Sequence, residues 1–188
     1  MSISIVAICN RALDLIGADP IVSLEDANKP ARLASRNFPA ARDAVLRAYP
    51  WNGAIRRRRL AAMTAEPEWG FARQYQLPDD ALRLLGLSDD GEQPWRVEGR
   101  KVLTDAGPPL DVIYIARIED PADFDPLLAD AIAARLAADI AYALAGSSTG
   151  QQAAWQVYQA RLAEARMADA QEGTPAALSA DAWLAARR

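Results

Sequence analysis

Apolar residues recur at Ile5, Ile8, Cys9, Ala12, Leu13 and Ile16, the spacing of a helix with one buried stripe. Gly17 supplies a natural stop, so a first helix is expected within 3–17, with Cys9 as a small core side chain. Asp19-Pro20 and Ser23-Leu24-Glu25-Asp26 mark a turn region. Pro30 fits a first helical position, and a second helical stretch runs from there to about Tyr49. Pro39 lies inside it and predicts a kink or two consecutive helices. Tyr49-Pro50 closes the stretch, because the residue before a proline avoids the α region.

The pattern changes between about Arg73 and Ile118. Turn signals come every few residues: Pro78-Asp79-Asp80, Asp89-Asp90-Gly91, Glu98-Gly99 and Asp105-Ala106-Gly107-Pro108-Pro109. The runs between them, Gln74–Leu77, Leu82–Leu87, Trp95–Val97, Lys101–Thr104 and Leu110–Ile118, read as short strands. The pair around Glu98-Gly99 reads as a tight hairpin. Leu110–Ile118 is the longest apolar run and is expected at the centre of a small antiparallel sheet.

Asp125-Pro126 then opens a third helix, with aspartate at the cap and proline just inside. Leu128, Ile132, Leu136, Ile140 and Leu144 continue at i, i+4, and Ala133, Ala137 and Ala141 beside them permit close helix approach. Gly146 ends this helix, and Ser148 or Thr149 is placed to cap a fourth. That helix sets Trp155, Tyr158, Leu162 and Ala165 on one face. The short connection implies an antiparallel pair. The fold class is therefore α+β, mainly α: a helix bundle with a small inserted antiparallel β-domain and an extended C-terminal tail. Residues 1–70 form the N-terminal part of the helical domain, 71–118 the β-domain, 119–172 the helical hairpin completing the bundle, and 173–188 the tail.

At 188 residues, 51% of them apolar, the chain can bury one good core with a small appended subdomain. No apolar run approaches the ~18 residues of a membrane span. The N-terminus lacks the basic region and cleavage site of a signal peptide. A single cysteine fits synthesis in a reducing cytoplasm. Histidine is absent, which removes serine and cysteine triads built on it and the histidine-based zinc sites. The carboxylates at Asp79-Asp80, Asp89-Asp90 and Glu119-Asp120 lie beside turn residues, where solvated aspartate is the ordinary case. Asp89-Asp90-Gly91-Glu92 lacks the remainder of a calcium loop. No glycine pattern for phosphate or dinucleotide binding occurs. No catalytic, metal or cofactor site is expected, and the protein reads as a non-enzyme.

Charge is the unusual feature. The chain carries 21 basic and 25 acidic residues, for a net charge of −4, yet Arg56, Arg57, Arg58 and Arg59 stand together. They directly follow a Pro50-Trp51-Asn52 corner, in which Trp51 is expected in the core. In an extended strand, Arg56 and Arg58 point to one side and Arg57 and Arg59 to the other. One pair can meet acidic groups of its own chain while the other reaches a partner, either an acidic protein surface or a nucleic-acid backbone. The tail adds Leu178, Trp183 and Leu184, apolar groups that suit docking on a neighbour. One functional reading of the arginines is a cytoplasmic DNA-binding regulatory protein. Against it stand the acidic balance and the lack of any helix-turn-helix, zinc-finger or RNA-binding signature.

Taken in order, these residues resemble a known family. Asn10-Arg11-Ala12-Leu13 with Ile16-Gly17, Ile21 and Ser23-Leu24-Glu25-Asp26 lead to Phe38-Pro39. Arg42-Asp43-Ala44-Val45-Leu46 then runs into Pro50-Trp51-Asn52, Ala54 and Leu60. Tyr75-Gln76-Leu77-Pro78, Val97-Glu98-Gly99-Arg100, Leu103-Thr104, Tyr114-Ile115, Asp120-Pro121 and Phe124-Asp125-Pro126 follow. Over residues 8–170 the chain resembles the head-to-tail adaptor (connector) proteins of tailed bacteriophages, of the tail tubular protein A type. Prophages and gene transfer agents carry similar adaptors. Gly53 stands where a phenylalanine is common, and the four arginines crowd a place usually less basic. The resemblance implies a structural virion protein at the head–tail junction, made in the bacterial host cytoplasm. It implies a homo-oligomeric ring, commonly a dodecamer, between the portal protein and a tail or nozzle protein. Such a ring continues the DNA channel, where a local cluster such as Arg56–Arg59 can touch passing DNA without reading sequence.

Overall fold

The computed structural model describes residues 3–88 and 93–172. Four helices make up the larger body. Helix α1 (Ile5–Asp14) starts at Ser4, whose hydroxyl accepts the Ala7 N–H at 3.1 Å, and the chain turns at Gly17 with φ +67°. Asn10 holds the next segment by a reciprocal pair: its Nδ2 donates to the Ile21 carbonyl at 2.9 Å and its Oδ1 accepts the Ile21 N–H at 2.8 Å. Asp26 accepts the Val22 and Ser23 N–H groups and closes the following turn.

Helix α2 (Lys29–Ala48) is one uninterrupted element, capped by the Asn28 side chain. Of the two outcomes expected at Pro39, division into two consecutive helices does not occur. Pro39 and Ser35, whose carbonyl loses its partner, both lie on the exposed face, so water replaces the missing bond. Helix α3 (Pro126–Ala145) opens at Asp125, which accepts the Leu127 and Leu128 N–H groups, and ends at Gly146 with φ +64°. Its apolar surface is wider than one stripe. Leu128, Ile132, Leu136 and Ile140 are buried together with Ala131, Ala133, Ala134, Ala137, Ala138 and Ala141, because α3 packs against α1, α2 and α4 at once. Each buried leucine or isoleucine contributes about 1.5–3 kcal/mol, so the central helix anchors the bundle. Helix α4 (Ser148–Gln171) returns along α3, burying Ala154, Tyr158 and Ala165. Its cap is Ser147, whose Oγ accepts the Gly150 N–H, rather than Ser148 or Thr149, which lie inside the first turn.

Six strands follow from the middle of the chain: β1 (Ile55–Leu60), β2 (Arg73–Gln76), β3 (Ala81–Leu87), β4 (Trp95–Glu98), β5 (Lys101–Thr104) and β6 (Leu110–Ala116). They form two antiparallel three-stranded sheets, β1-β6-β3 and β2-β5-β4, where the turn pattern suggested one. The expected hairpin is β4–β5, linked by Gly99-Arg100 with Gly99 at φ +59°. β6 is central in its sheet, as its apolar run predicts. Strand pairing reaches upstream of residue 71, because β1 joins β6 over its whole length.

The two sheets enclose a second core containing Leu60, Tyr75, Leu84, Leu87, Val102, Leu110, Val112 and Tyr114. On the other side of β6, Ile115 is fully buried in the helical core with Trp51, Ile132 and Phe124. Side chains alternate across a strand, so β6 is the seam between the cores. No helix among the described residues is long and apolar enough to cross a membrane.

Candidate functional site: the arginines of an edge strand

Three polar ties place β1. The first is the corner before it. Trp51 is 2% exposed, and its indole Nε1 donates to the Val45 carbonyl at 2.9 Å, which turns the chain back under α2. Tyr49 meets the indole edge-on at 5.0 Å, and the Arg166 guanidinium lies over the Tyr49 ring. The second tie is Asn52. Its backbone N–H donates to the Asp169 carboxylate at 3.0 Å, and its Nδ2 donates to the Asp169 carbonyl at 2.7 Å. Pro50-Trp51-Asn52 therefore joins the end of α2 to the end of α4. Burial pushes the Asp169 carboxyl above its ordinary range, the Asn52 N–H pulls it down, and the Glu172 and Asp125 charges push it up again.

The third tie is Asp43, one carboxylate shared by two arginines. Arg42 Nε and Arg117 Nε each donate to it at 2.9 Å. Arg117 follows β6 directly, so this bridge fastens the sheet to α2. Nothing in the helical periodicity marked Asp43 for this role. Its one mark in the sequence was its place in the Arg42-Asp43-Ala44-Val45-Leu46 run.

β1 emerges from these ties as an edge strand. Ile55↔Ile115 and Leu60↔Leu110 bracket the register, and Arg56, Arg57, Arg58 and Arg59 lie between them, all exposed. Directly opposed residues share a face. Arg56 and Arg58 thus stand with Tyr114 and Val112, on the side of the inter-sheet core. Arg57 and Arg59 stand with Ile113 and Asp111 on the other side. The alternation expected from the sequence is present, but no pair is buried, because these long side chains extend past the rim of the sheet.

Their partners differ. Arg59 makes a bidentate pair with Asp111, Nε–Oδ1 at 2.7 Å and Nη2–Oδ2 at 2.9 Å. This hydrogen bonding holds the Asp111 carboxyl below its ordinary value and raises Arg59. Arg56 donates to the carbonyls of Gly53 and Ile55. Burial and the Asp80 carboxylate push the Tyr114 hydroxyl up, while hydrogen bonding with Arg58 acts in the opposite direction. Arg57 has no hydrogen-bonded or ion-paired partner among the described residues. A shallow groove of about 290 Å³ runs beside it, lined by Arg57, Arg58, Arg59, Ser88, Asp111 and Ile113.

The other expected features fall elsewhere. Asp80 approaches the Tyr114 hydroxyl at 3.3 Å, and Asp120 caps a short 3-10 turn by accepting the Ala122 N–H. Among the described residues no three His, Cys, Asp or Glu side chains group to hold a metal. Asp89-Asp90-Gly91-Glu92 and the tail positions Leu178, Trp183 and Leu184 lie outside the described residues. The sequence matches no protein-family model and no curated relative.

Proposed function

We propose that the protein is a head-to-tail adaptor, a structural virion protein that assembles as a ring on the portal of a bacteriophage or gene transfer agent and continues the DNA channel toward the tail. One observation supports this reading above the others. Four of the residues that carry the resemblance, Asn10, Asp43, Trp51 and Asn52, also make hydrogen bonds that tie separate segments of the fold together. Asn10 holds Ile21, Asp43 bridges Arg42 to Arg117, the Trp51 indole turns the chain beneath α2, and Asn52 joins Asp169. A shared set of architectural residues is what a shared fold requires. In this reading the helices make most of the subunit packing, and the β-domain faces the tail or nozzle protein. Leu178, Trp183 and Leu184 dock on the portal or an adjacent subunit. The arginines of β1 serve at an interface or along the channel.

Mixing the protein with purified portal rings of its own virus or particle tests the reading. Negative-stain images are expected to show an added ring of density on the portal. Portal rings that stay bare under all assembly conditions overturn it. The isolated protein remaining monomeric does not bear on the outcome, since a portal can template the ring.

A further inference from the structure

We infer that β1 is a docking edge for an extended acidic segment of a protein partner, which adds to the sheet as a further strand. The inference rests on the strand itself and is independent of the adaptor reading. In the order β1-β6-β3, β1 is terminal, and among the described residues no strand pairs with its outer side. An edge strand in antiparallel pairing directs every second residue's N–H and C=O outward, where an added strand can take them up. Four exposed arginines occupy consecutive positions along that edge. The structure also contains the pairing such a partner needs. Asp111 sits directly across from Arg59 on β6 and binds its guanidinium through both oxygens. A carboxylate on the outer side, opposite Arg57, would meet the same geometry with no competitor.

The arrangement favours a polypeptide over a nucleic acid. Arg56 and Arg58 lie on one face of the sheet and Arg57 and Arg59 on the other, so the charges line both sides of an edge. A duplex lying against one face reaches only half of them. A strand with acidic side chains to both sides reaches all four. Charges on an edge strand also repel neutral and basic strands, so the same residues that admit an acidic partner exclude promiscuous pairing.

Three labelled probes test this with the full-length protein: a short peptide of Glu-Glu-Val-Val repeats, which carries glutamate on both faces of a strand, a peptide of equal charge with proline at the valine positions, and a mixed-sequence DNA duplex. The glutamate–valine peptide is expected to bind and to slow amide hydrogen exchange in 55–60. The proline peptide, which cannot complete a ladder, is expected to bind at least about tenfold more weakly. Arg57→Glu is expected to weaken peptide binding by about tenfold or more. Its circular dichroism should be unchanged, because Arg57 has no partner among the described residues. Arg57→Lys, which keeps the charge but cannot form a bidentate pair, is expected to bind more weakly than wild type and more tightly than Arg57→Glu. Equal affinity for the two peptides, or unaltered exchange in β1, overturns strand addition. DNA binding that is tighter than peptide binding and equally sensitive to Arg57→Glu assigns the edge to nucleic acid and overturns the proposal.

Discussion

The backbone N–H of Asn52 donates to the carboxylate of Asp169, 117 residues later in the chain, so the corner entering β1 is fixed by the last turn of α4. Burial raises the pKa of Asp169, which sets the sign of its contribution to stability. A carboxyl whose folded pKa lies above its unfolded value of about 3.9 favours folding most below that value. The benefit is lost as pH rises through the raised pKa. Asp169→Asn keeps an oxygen to accept from Asn52 but removes the titration. The stability difference, variant minus wild type, is expected to rise as pH increases from about 4, as urea titrations at a series of pH values would reveal. A difference that stays flat, or that falls, excludes this account.

Among the described residues Asp43 is the one carboxylate paired with both Arg42 and Arg117, and Arg42 is only 9% exposed. Asp43→Ala leaves a nearly buried guanidinium without its counter-charge and unfastens the sheet from α2. A loss of about 2–4 kcal/mol in chemical denaturation is expected. Arg117→Ala, whose side chain is more exposed, is expected to cost less.

Cys9 is fully buried, and burial pushes its thiol pKa up to about 12. Almost no thiolate is present at neutral pH, and no reagent reaches it in the folded state. Maleimide labelling of the native protein is expected to proceed only at the rate of global opening. It should accelerate in urea in step with the unfolding transition. Rapid labelling in buffer would contradict the buried placement.

Asp111 competes for the charge of β1. Asp111→Asn releases Arg59 from its bidentate partner and adds its uncompensated charge to that of Arg57. The variant is expected to elute from heparin at higher salt than wild type, with the same far-ultraviolet spectrum. In wild type, acidification through the depressed pKa of Asp111 is expected to have the same effect, because protonation discharges the carboxylate.

Much of the architecture was readable from periodicity, since each element that shows a clear repeat has a face in a core. The i, i+4 series from Leu128 to Ile140 gave α3, and the apolar run from Leu110 gave the central strand. Gly99 and Gly146 marked a turn and a helix end through positive φ. β1 was not readable as a strand, because Ile-Arg-Arg-Arg-Arg-Leu has no apolar alternation and owes its conformation to pairing with β6. The division into two sheets was hidden for a related reason: alternation shows which residues point together, not which strands are neighbours. That Pro39 does not divide α2 was not readable, because the cost of a helical proline depends on whether the orphaned carbonyl faces water, and that is a tertiary fact. The arginines were visible as a block. Their sorting into one paired with Asp111, one on backbone carbonyls, one beside Tyr114 and one alone came only from register.

Neighbouring residues Tyr114 and Ile115 belong to different cores, so β6 supports both parts of the molecule at once. Unfolding the sheets strips cover from Ile115 and from the helices around it. Loosening the bundle removes the support under one face of β6. Excising 71–118 as a separate piece discards β1 and uncovers Ile115, so that fragment lacks both a neighbour strand and a floor. The intact chain should therefore melt in a single calorimetric transition, with van't Hoff and measured enthalpies in agreement. A force applied to the sheet edge would be carried through β6 into the bundle.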